Sequence, residues 1–550
     1  MRQLNRREVV CRSIARLFPL AIAFLPTVAL AEETAKKSPI AKSLQELPWL
    51  LGLLTLVVLV VARLPKVKDI AHSAAYRRRR AMNWLSLGFI YAFLYMGRYN
   101  LTMSKNAFGD VHLMDNTDFG LIFGIGTLVY GFSFILNGPL TDRFGARATI
   151  LVSAFGAVVM NLLLGAVTFE VLHNDLKPGP LTQAAGAVGA PIFALLLHMQ
   201  NAVRALLGFE ALAPKDSVLL YPIAVLYAGN MYFQSFGAVA IVKGNAPWFH
   251  LRERGVFGAI FGILISLGIY FAYDWNGLLL YIFPGRTDLV FFVPAALLLV
   301  VAIVGIFTIR NRPSEAGFQD FATADATSGD HRRPDNPIKV FKMMLGSRII
   351  MTIACIEFCS GFIRQAAMQW GKIFGKQVGL ADHFVFMHWG LLLCAAGILG
   401  GLFAGSISDH VFQSRRGPVA AVLYALLLVG ALSMTALLGS PLVLFVLVFM
   451  SLAVIGVHGM LSGTASMDFG GAKNAGIAVG IIDGFVYLGT AVMSFLYAWR
   501  LPAGDRAKDV ANWSEWPLWM IPLILVGFAL AYSIRNEKPA GKSEGAKEAA

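Results

Sequence analysis

The chain has 550 residues, 57% hydrophobic and 14% charged, with a net charge of +14 and a mean hydropathy of +0.65. A water-soluble enzyme or binding module of this length would divide into domains whose wet surfaces need far more charge than this, so that class is excluded. The four cysteines, Cys11, Cys355, Cys359 and Cys394, lie in or beside apolar segments, with neither metal-ligand spacing nor a secreted disulfide framework.

The N-terminus is read first. Residues 1–16 are basic, with Arg2, Arg6, Arg7, Arg12 and Arg16; 17–30 are apolar, and Ala29-Leu30-Ala31 precedes Glu32. Residues 1–31 therefore read as a signal peptide, with an uncleaved first span or an organellar presequence as alternatives. Residues 32–80 hold a short additional span, Trp49 to Ala62, then a basic stretch ending in Arg77-Arg78-Arg79-Arg80. Basic loops stay in the cytoplasm, so the next helix starts there.

Twelve further apolar runs follow, near 82–104, 117–139, 148–168, 218–243, 254–274, 287–309, 348–371, 384–405, 418–438, 440–463, 474–498 and 514–534. Each approaches the roughly 20 residues that a membrane helix needs. Inward loops carry Arg143 and Arg147, Arg252 and Arg254, Arg310 and Arg312, Arg415 and Arg416, and Lys473. Outward loops carry Asp110, Asp115, Asp118, Asp274, Asp288 and Asp382. Topology accounts for the positive charge, and no nucleic-acid partner is needed. The organisation expected is a six-helix half at 81–310, a polar cytoplasmic linker at 311–347, a second six-helix half at 348–535 and a polar tail at 536–550.

The halves repeat. Gly138-Pro-Leu-Thr-Asp142-Arg143 closes the second run and Gly405-Ser-Ile-Ser-Asp409-His410 the eighth; 409 − 142 = 267. One arginine lies inside the first run and one inside the seventh, Arg98 and Arg364, and 364 − 98 = 266. Gly258, Gly262 and Gly268 punctuate one later helix, Gly480, Gly484 and Gly489 its counterpart, and 484 − 262 = 222. The first half is thus longer by 267 − 222 = 45 residues, the size of an insertion at 169–216 on the periplasmic side. Its apolar stretch from Ala190 to Leu212, interrupted by His198, Gln200, Asn201 and Arg204, reads as an amphipathic helix on that surface. The fold expected is all-α: two six-helix parallel repeats, the arrangement of major facilitator halves, plus one additional N-terminal transmembrane helix.

Arg98 and Arg364 carry the chemistry. A guanidinium inside a membrane is costly unless it meets a wet cavity or a partner, so each is a functional candidate. Snorkelling of Arg98 towards Lys105, and pairing of Arg364 with Glu357 seven residues earlier, are the competing structural roles. Two planar forks of donors across a cleft suit a phosphate or carboxylate. Tyr91 and Tyr95 share the helical face of Arg98, and Tyr130 on the second span can join them. His388, His458 and Asp483 are further candidates for the cleft, against packing roles. Asp142 and Asp409, with Arg143, Arg147 and Arg415, form the expected cytoplasmic gate: a carboxylate there can pair with basic residues and accept from a neighbouring helix N-terminus. No nucleotide-binding glycine loop, zinc pair or nucleophile elbow is present, so neither an enzyme nor a cofactor is expected.

Several motifs combine into a resemblance: Tyr91-x3-Tyr95-x2-Arg98-x-Asn100, Tyr130-Gly-Phe-Ser133, Asn230-x2-Phe233-Gln234, Trp248-Phe249 with Arg252-Glu253-Arg254-Gly255, Arg310-Asn-Arg-Pro313-x3-Gly317, Arg364-x5-Trp370, Gly456-x-His458 and Gly484-x2-Tyr487-Leu488-Gly489. Over about residues 80–536 the chain resembles the organophosphate:phosphate antiporter family of the major facilitator superfamily. The resemblance implies alternating access in a bacterial inner membrane, by a monomer, with an organic phosphate exchanged for inorganic phosphate. It also implies that Arg98 and Arg364 hold the phosphate. Tyr91, Tyr95, Asn100, Tyr130 and His458 stand in its motifs and Lys243 keeps a basic position of the fourth helix; with Glu357, read above as the neighbour of Arg364, they complete the expected substrate site. The chain departs from the family pattern at Tyr99, Phe134, Pro247 and Cys394, where lysine, lysine, histidine and glutamate are expected. The family includes sensors of external sugar phosphate, so a non-transporting receptor is the alternative function, with a carrier for another organic anion a third.

Overall fold

The computed structural model describes residues 73–206, 217–250, 265–321, 336–412, 415–465 and 475–537, with a few isolated positions besides. The signal-peptide and additional-span readings, Gly258, Gly262, Arg252, Arg254 and Lys473 fall outside them, as does the side chain of Asp409.

The first spans have local reasons to start and stop. Helix α1 (Ala74–Asp110) begins where Ser73 Oγ accepts the Tyr76 N–H at 3.1 Å. Helix α2 (Asn116–Phe144) opens on a reciprocal capping box: Asp115 accepts the Asp118 N–H at 2.9 Å, and Asp118 accepts that of Asp115 at 3.1 Å. It stops at Gly145, whose φ of +85° lies in the region that favours glycine, and α3 (Ala146–Leu172) follows directly. Then come α4 (Pro180–Leu206), α5 (Leu220–Asn245), α6 (helical at 265–270, with a π-helical turn Phe271–Trp275 before Asn276–Ile282) and α7 (Leu289–Thr308). The second half comprises linker helix α8 (Pro337–Leu345), α9 (Arg348–Gln377), α10 (Trp389–His410), α11 (Arg416–Leu437), α12 (Val443–His458, continued by a π-helical segment Gly459–Ala465), α13 (Ala475–Arg500) and α14 (Met520–Ser533). Ten of the described helices are long and apolar enough to cross a bilayer.

The expected spans fall on these helices, the fifth being described only from residue 265, and two ends shift by eight residues. Helix α1 starts eight residues before the expected 82, because Tyr76 packs beneath Phe318 and Phe321 and stabilises an extra cytoplasmic turn. Helix α6 runs on to Ile282, past the expected 274, through the π-helical turn.

The halves meet along α2 and α13, where glycines bring backbones together. A Cβ on Gly138 would lie 2.6 Å from the Gly476 carbonyl, and one on Gly131 2.9 Å from that of Gly484. Helices α1 and α9 also meet, through residues at equivalent places in the repeat. Gln365 Nε2 donates to Tyr99 Oη at 2.7 Å, and Lys376 pairs with Asp110 at 3.3 Å. Both pairs are 266 residues apart, the spacing of Arg98 and Arg364. Equivalent residues of two halves touch each other only near the axis that relates the halves. The arginines therefore flank that axis, one position from the Tyr99–Gln365 contact.

Helix α4 is the insertion. Its 27 residues begin and end earlier than the expected 190–212. Near its start, Glu170 at the end of α3 accepts the N–H groups of Leu181 (3.0 Å) and Thr182 (2.7 Å). Midway, Phe193 packs edge-on against Tyr221, at 5.1 Å, in the first turn of α5. Near its end, Arg204 lies 5.8 Å over Trp499 in the last turn of α13. All three contacts are at the bundle end opposite Asp142, so α4 runs across that end of the spans, the one expected to face the periplasm. Val188, Ile192, Leu195 and Met199 form an exposed apolar stripe along it. Its length and hydropathy would suffice for crossing, and the tertiary contacts decide otherwise.

Candidate functional site

Arg98 and Arg364 lie 12 and 13 residues before the ends of α1 and α9 at Asp110 and Gln377. At 1.5 Å per residue both are roughly 18–20 Å below the outer helix ends. They are 0% and 3% exposed, so neither faces lipid.

The surroundings of Arg98 fix its plane. Its Nε donates to Gln234 Oε1 at 2.9 Å, and one Nη donates to Tyr487 Oη at 2.8 Å. Gln234 is itself held by Asn230, to whose Oδ1 it donates at 3.0 Å. The rings of Tyr95 and Tyr130 lie 4.6 and 4.5 Å from the guanidinium carbon, which is cation–π range. The guanidinium cannot turn without losing one of these contacts.

Tyr487 of α13 joins the two arginines. Its ring centre is 5.7 Å from the Arg98 carbon and 5.8 Å from that of Arg364, so the two carbons are at most 11.5 Å apart. With charge-assisted N···O contacts near 2.8 Å, a phosphorus atom held by both forks sits about 4 Å from each carbon. Both forks can share it when the two carbons stand within about 8 Å of each other.

The donors left over define the site. The second Nη of Arg98, the Nε and one Nη of Arg364, and the hydroxyls of Tyr95 and Tyr130 are buried without a partner within the protein. Buried donors are normally satisfied, and an unmade hydrogen bond to a charged group is expensive. Five such donors around Tyr487 are a cradle for an acceptor-rich anion.

Acidic and imidazole groups border the Arg364 side. Glu357 Oε2 is 2.9 Å from His458 Nδ1 on α12, and Ser462 Oγ donates to Asp483 on α13. The hydrogen bond of Glu357 thus goes to His458, not to Arg364 along its own helix as the competing structural role required. His388 occupies the position just before α10, where its side chain makes no capping hydrogen bond, at the opposite end of the bundle from Asp142.

Two expected site residues are placed elsewhere. Asn100 turns into the first half, where its Nδ2 donates to Asn161 Oδ1 (2.8 Å) and the Val290 carbonyl (3.2 Å). Lys243 lies at the cytoplasmic end of α5 in a 2.6 Å ion pair with Asp142. Tyr91 stays near, its ring 5.2 Å from that of Tyr95.

Asp142 is where the gate was expected, with different partners. Besides Lys243 it accepts the N–H groups of Gly476 (3.3 Å) and Ile477 (3.0 Å) at the start of α13, a link between the halves. A carboxylate at a helix N-terminus is favoured by both the open N–H groups and the helix dipole. Arg147 instead braces α3 to α7, donating from its side chain to the Ile306 carbonyl at 2.8 Å. The Arg143 side chain lies against Phe144. The Nε of Arg415 donates to the Phe412 carbonyl at 3.2 Å, and Arg415 lines a cleft between α11 and α14 rather than the seam.

Tyr487, Gln234, Tyr99 and Gln365 were not read as site residues from the sequence. The first two stood within motifs of the family resemblance, which was the available signal. Nothing in their spacing shows that α5, α9 and α13 converge on α1.

Known proteins resemble most of the chain. Over 466 residues it is 22% identical to the glycerol-3-phosphate transporter of Bacillus subtilis (strain 168), covering 78% of this chain and 89% of the relative. Over 457 residues it is 22% identical to the membrane sensor protein UhpC of Escherichia coli (strain K12), covering 80% and 89%. The hexose-6-phosphate:phosphate antiporter of the same strain is 24% identical over 372 residues, covering 66% and 79%. A bacterial homolog of the human lysosomal transporter Spinster, solved inward-facing and unoccupied, has a TM-score of 0.58 at 12% identity, covering 84% and 98%, which speaks to the fold alone. The ten apolar helices and these bacterial relatives make this a multi-pass inner-membrane protein. The pattern of the Major Facilitator Superfamily matches residues 85–494, and the chain belongs to that superfamily.

Proposed function

We propose that the chain is a secondary transporter that exchanges an organic phosphate, of the glycerol-phosphate or sugar-phosphate type, for inorganic phosphate. The observation that carries this is the pair of buried guanidinium groups from opposite halves, sharing Tyr487 and keeping unpartnered N–H groups between them. A ligand touching both arginines links the two halves, so its binding energy can change their relative position. In the alternating-access cycle the phosphate neutralises the paired charge, the halves rock about it, and the Asp142 contact with α13 opens and closes the cytoplasmic side. Tyr95 and Tyr130 orient the phosphate through their hydroxyls while their rings hold Arg98 in plane. The mechanism needs no bound cofactor.

A sensor is the second reading, favoured by the similarity to UhpC over most of the chain. Purified protein in liposomes preloaded with phosphate, glycerol phosphate or hexose phosphate, then given labelled external phosphate, separates the two. Counterflow that requires internal phosphate supports the exchanger. Saturable binding without counterflow would sink it and leave the sensor.

A further inference from the structure

The cleft between α11 and α14 is separate from the arginine clamp. It has a volume of about 440 Å³ and is lined by Arg415, Ala425, Phe528, Tyr532 and Arg535 among others. Behind it the two helices touch closely, a Cβ on Gly417 lying 2.6 Å from the Ile534 carbonyl. The cleft therefore lies over a sealed seam and opens to the outside of the bundle.

Its two ends differ in chemistry. Arg415 precedes the first residue of α11 and Arg535 follows the last of α14, so both mark the cytoplasmic end. The guanidinium carbon of Arg535 lies 4.2 Å over the ring of Tyr532, and the ring of Phe528 stacks on that of Tyr532 at 6.3 Å. Deeper in the span the walls are apolar: Ala421, Val422, Ala425 and Phe528. Arg415 to Ala425 is ten residues of helix, about 15 Å of rise. A basic end at the headgroup level with an interfacial tyrosine, continued by an apolar groove into the hydrocarbon, matches an anionic phospholipid in both charge and depth.

We propose that this cleft binds an anionic phospholipid of the cytoplasmic leaflet, with its phosphate between Arg415 and Arg535 and the start of one acyl chain along Val422, Ala425 and Phe528. A soluble phosphate would use the basic end but not the apolar walls, and that difference is testable.

Lipid retention by the purified full chain can be read by native mass spectrometry after titration with phosphatidylglycerol or phosphatidylcholine. Retention of phosphatidylglycerol is expected to be about 30-fold tighter, the scale of two basic residues at a lipid surface. The Arg415→Gln/Arg535→Gln pair should abolish the preference, while Arg78→Gln/Arg348→Gln, equally basic changes on the same face, should leave it. Ala425→Trp, which fills the groove and keeps both arginines, should weaken retention as well and covers the case of a double variant that fails to fold. Equal retention of the two lipids, an equal loss in the Arg78/Arg348 pair, no loss in Ala425→Trp, or displacement of phosphatidylglycerol by glycerol phosphate would each overturn the proposal.

Discussion

Replacing Arg98 by lysine keeps the charge and removes the fork. In the wild-type protein that fork is divided three ways: Nε to Gln234, one Nη to Tyr487 and one Nη left for the ligand. A single ammonium at the end of a flexible stem cannot serve all three directions, and it loses the flat stacking between Tyr95 and Tyr130. A hydrogen bond to a charged group is worth about 1.5–3 kcal/mol, so losing one to the bound phosphate weakens binding roughly 10- to 150-fold. Gln234 Oε1 also loses its donor in a buried site, and thermal stability should fall by a further ~1–3 kcal/mol. The assay is counterflow of labelled phosphate into phosphate-loaded liposomes, with binding measured by calorimetry on the same preparation. Affinity within about threefold of wild type, in a protein shown to be folded, would refute the clamp, because three-fold is well under one kcal/mol.

Four further outcomes follow from particular contacts. Glu357→Gln removes the carboxyl group facing His458 beside Arg364 and should slow exchange about tenfold; unchanged affinity and rate would show that Glu357 only orients its neighbours. Asp142→Asn breaks the ion pair with Lys243 while keeping an acceptor for α13, so spin labels at Phe144 and Arg348 should show a longer-distance population; an unchanged distribution would remove Asp142 from gating. Gly138→Leu forces a side chain against the Gly476 carbonyl and should cut exchange at least about tenfold with phosphate affinity within threefold, because the cytoplasmic ends can no longer close. Asn100→Ala should lower thermal stability by ~1–3 kcal/mol and leave phosphate affinity alone; the opposite pattern would return Asn100 to the binding site.

What the amino-acid order determined by itself was everything written in runs and repeats. A bilayer demands about 20 apolar residues per span, so the places of the candidate spans follow from hydropathy. Duplicated halves leave equal offsets, so Arg98 and Arg364 were found as a pair before any coordinate was known. What only the tertiary structure decided was lateral: which faces turn inward, and which helices become neighbours. Polar side chains in hydrocarbon take whatever partner the packing brings near, since an unpaired one is costly. Hence Asn100, two positions from Arg98, serves Asn161 instead of the ligand, and Lys243 serves Asp142. Tyr487, 389 residues from Arg98, becomes the group through which the two arginines meet. The course of α4 has the same cause: its composition permits a crossing, and contacts with Glu170, Tyr221 and Trp499 hold it across the outer face.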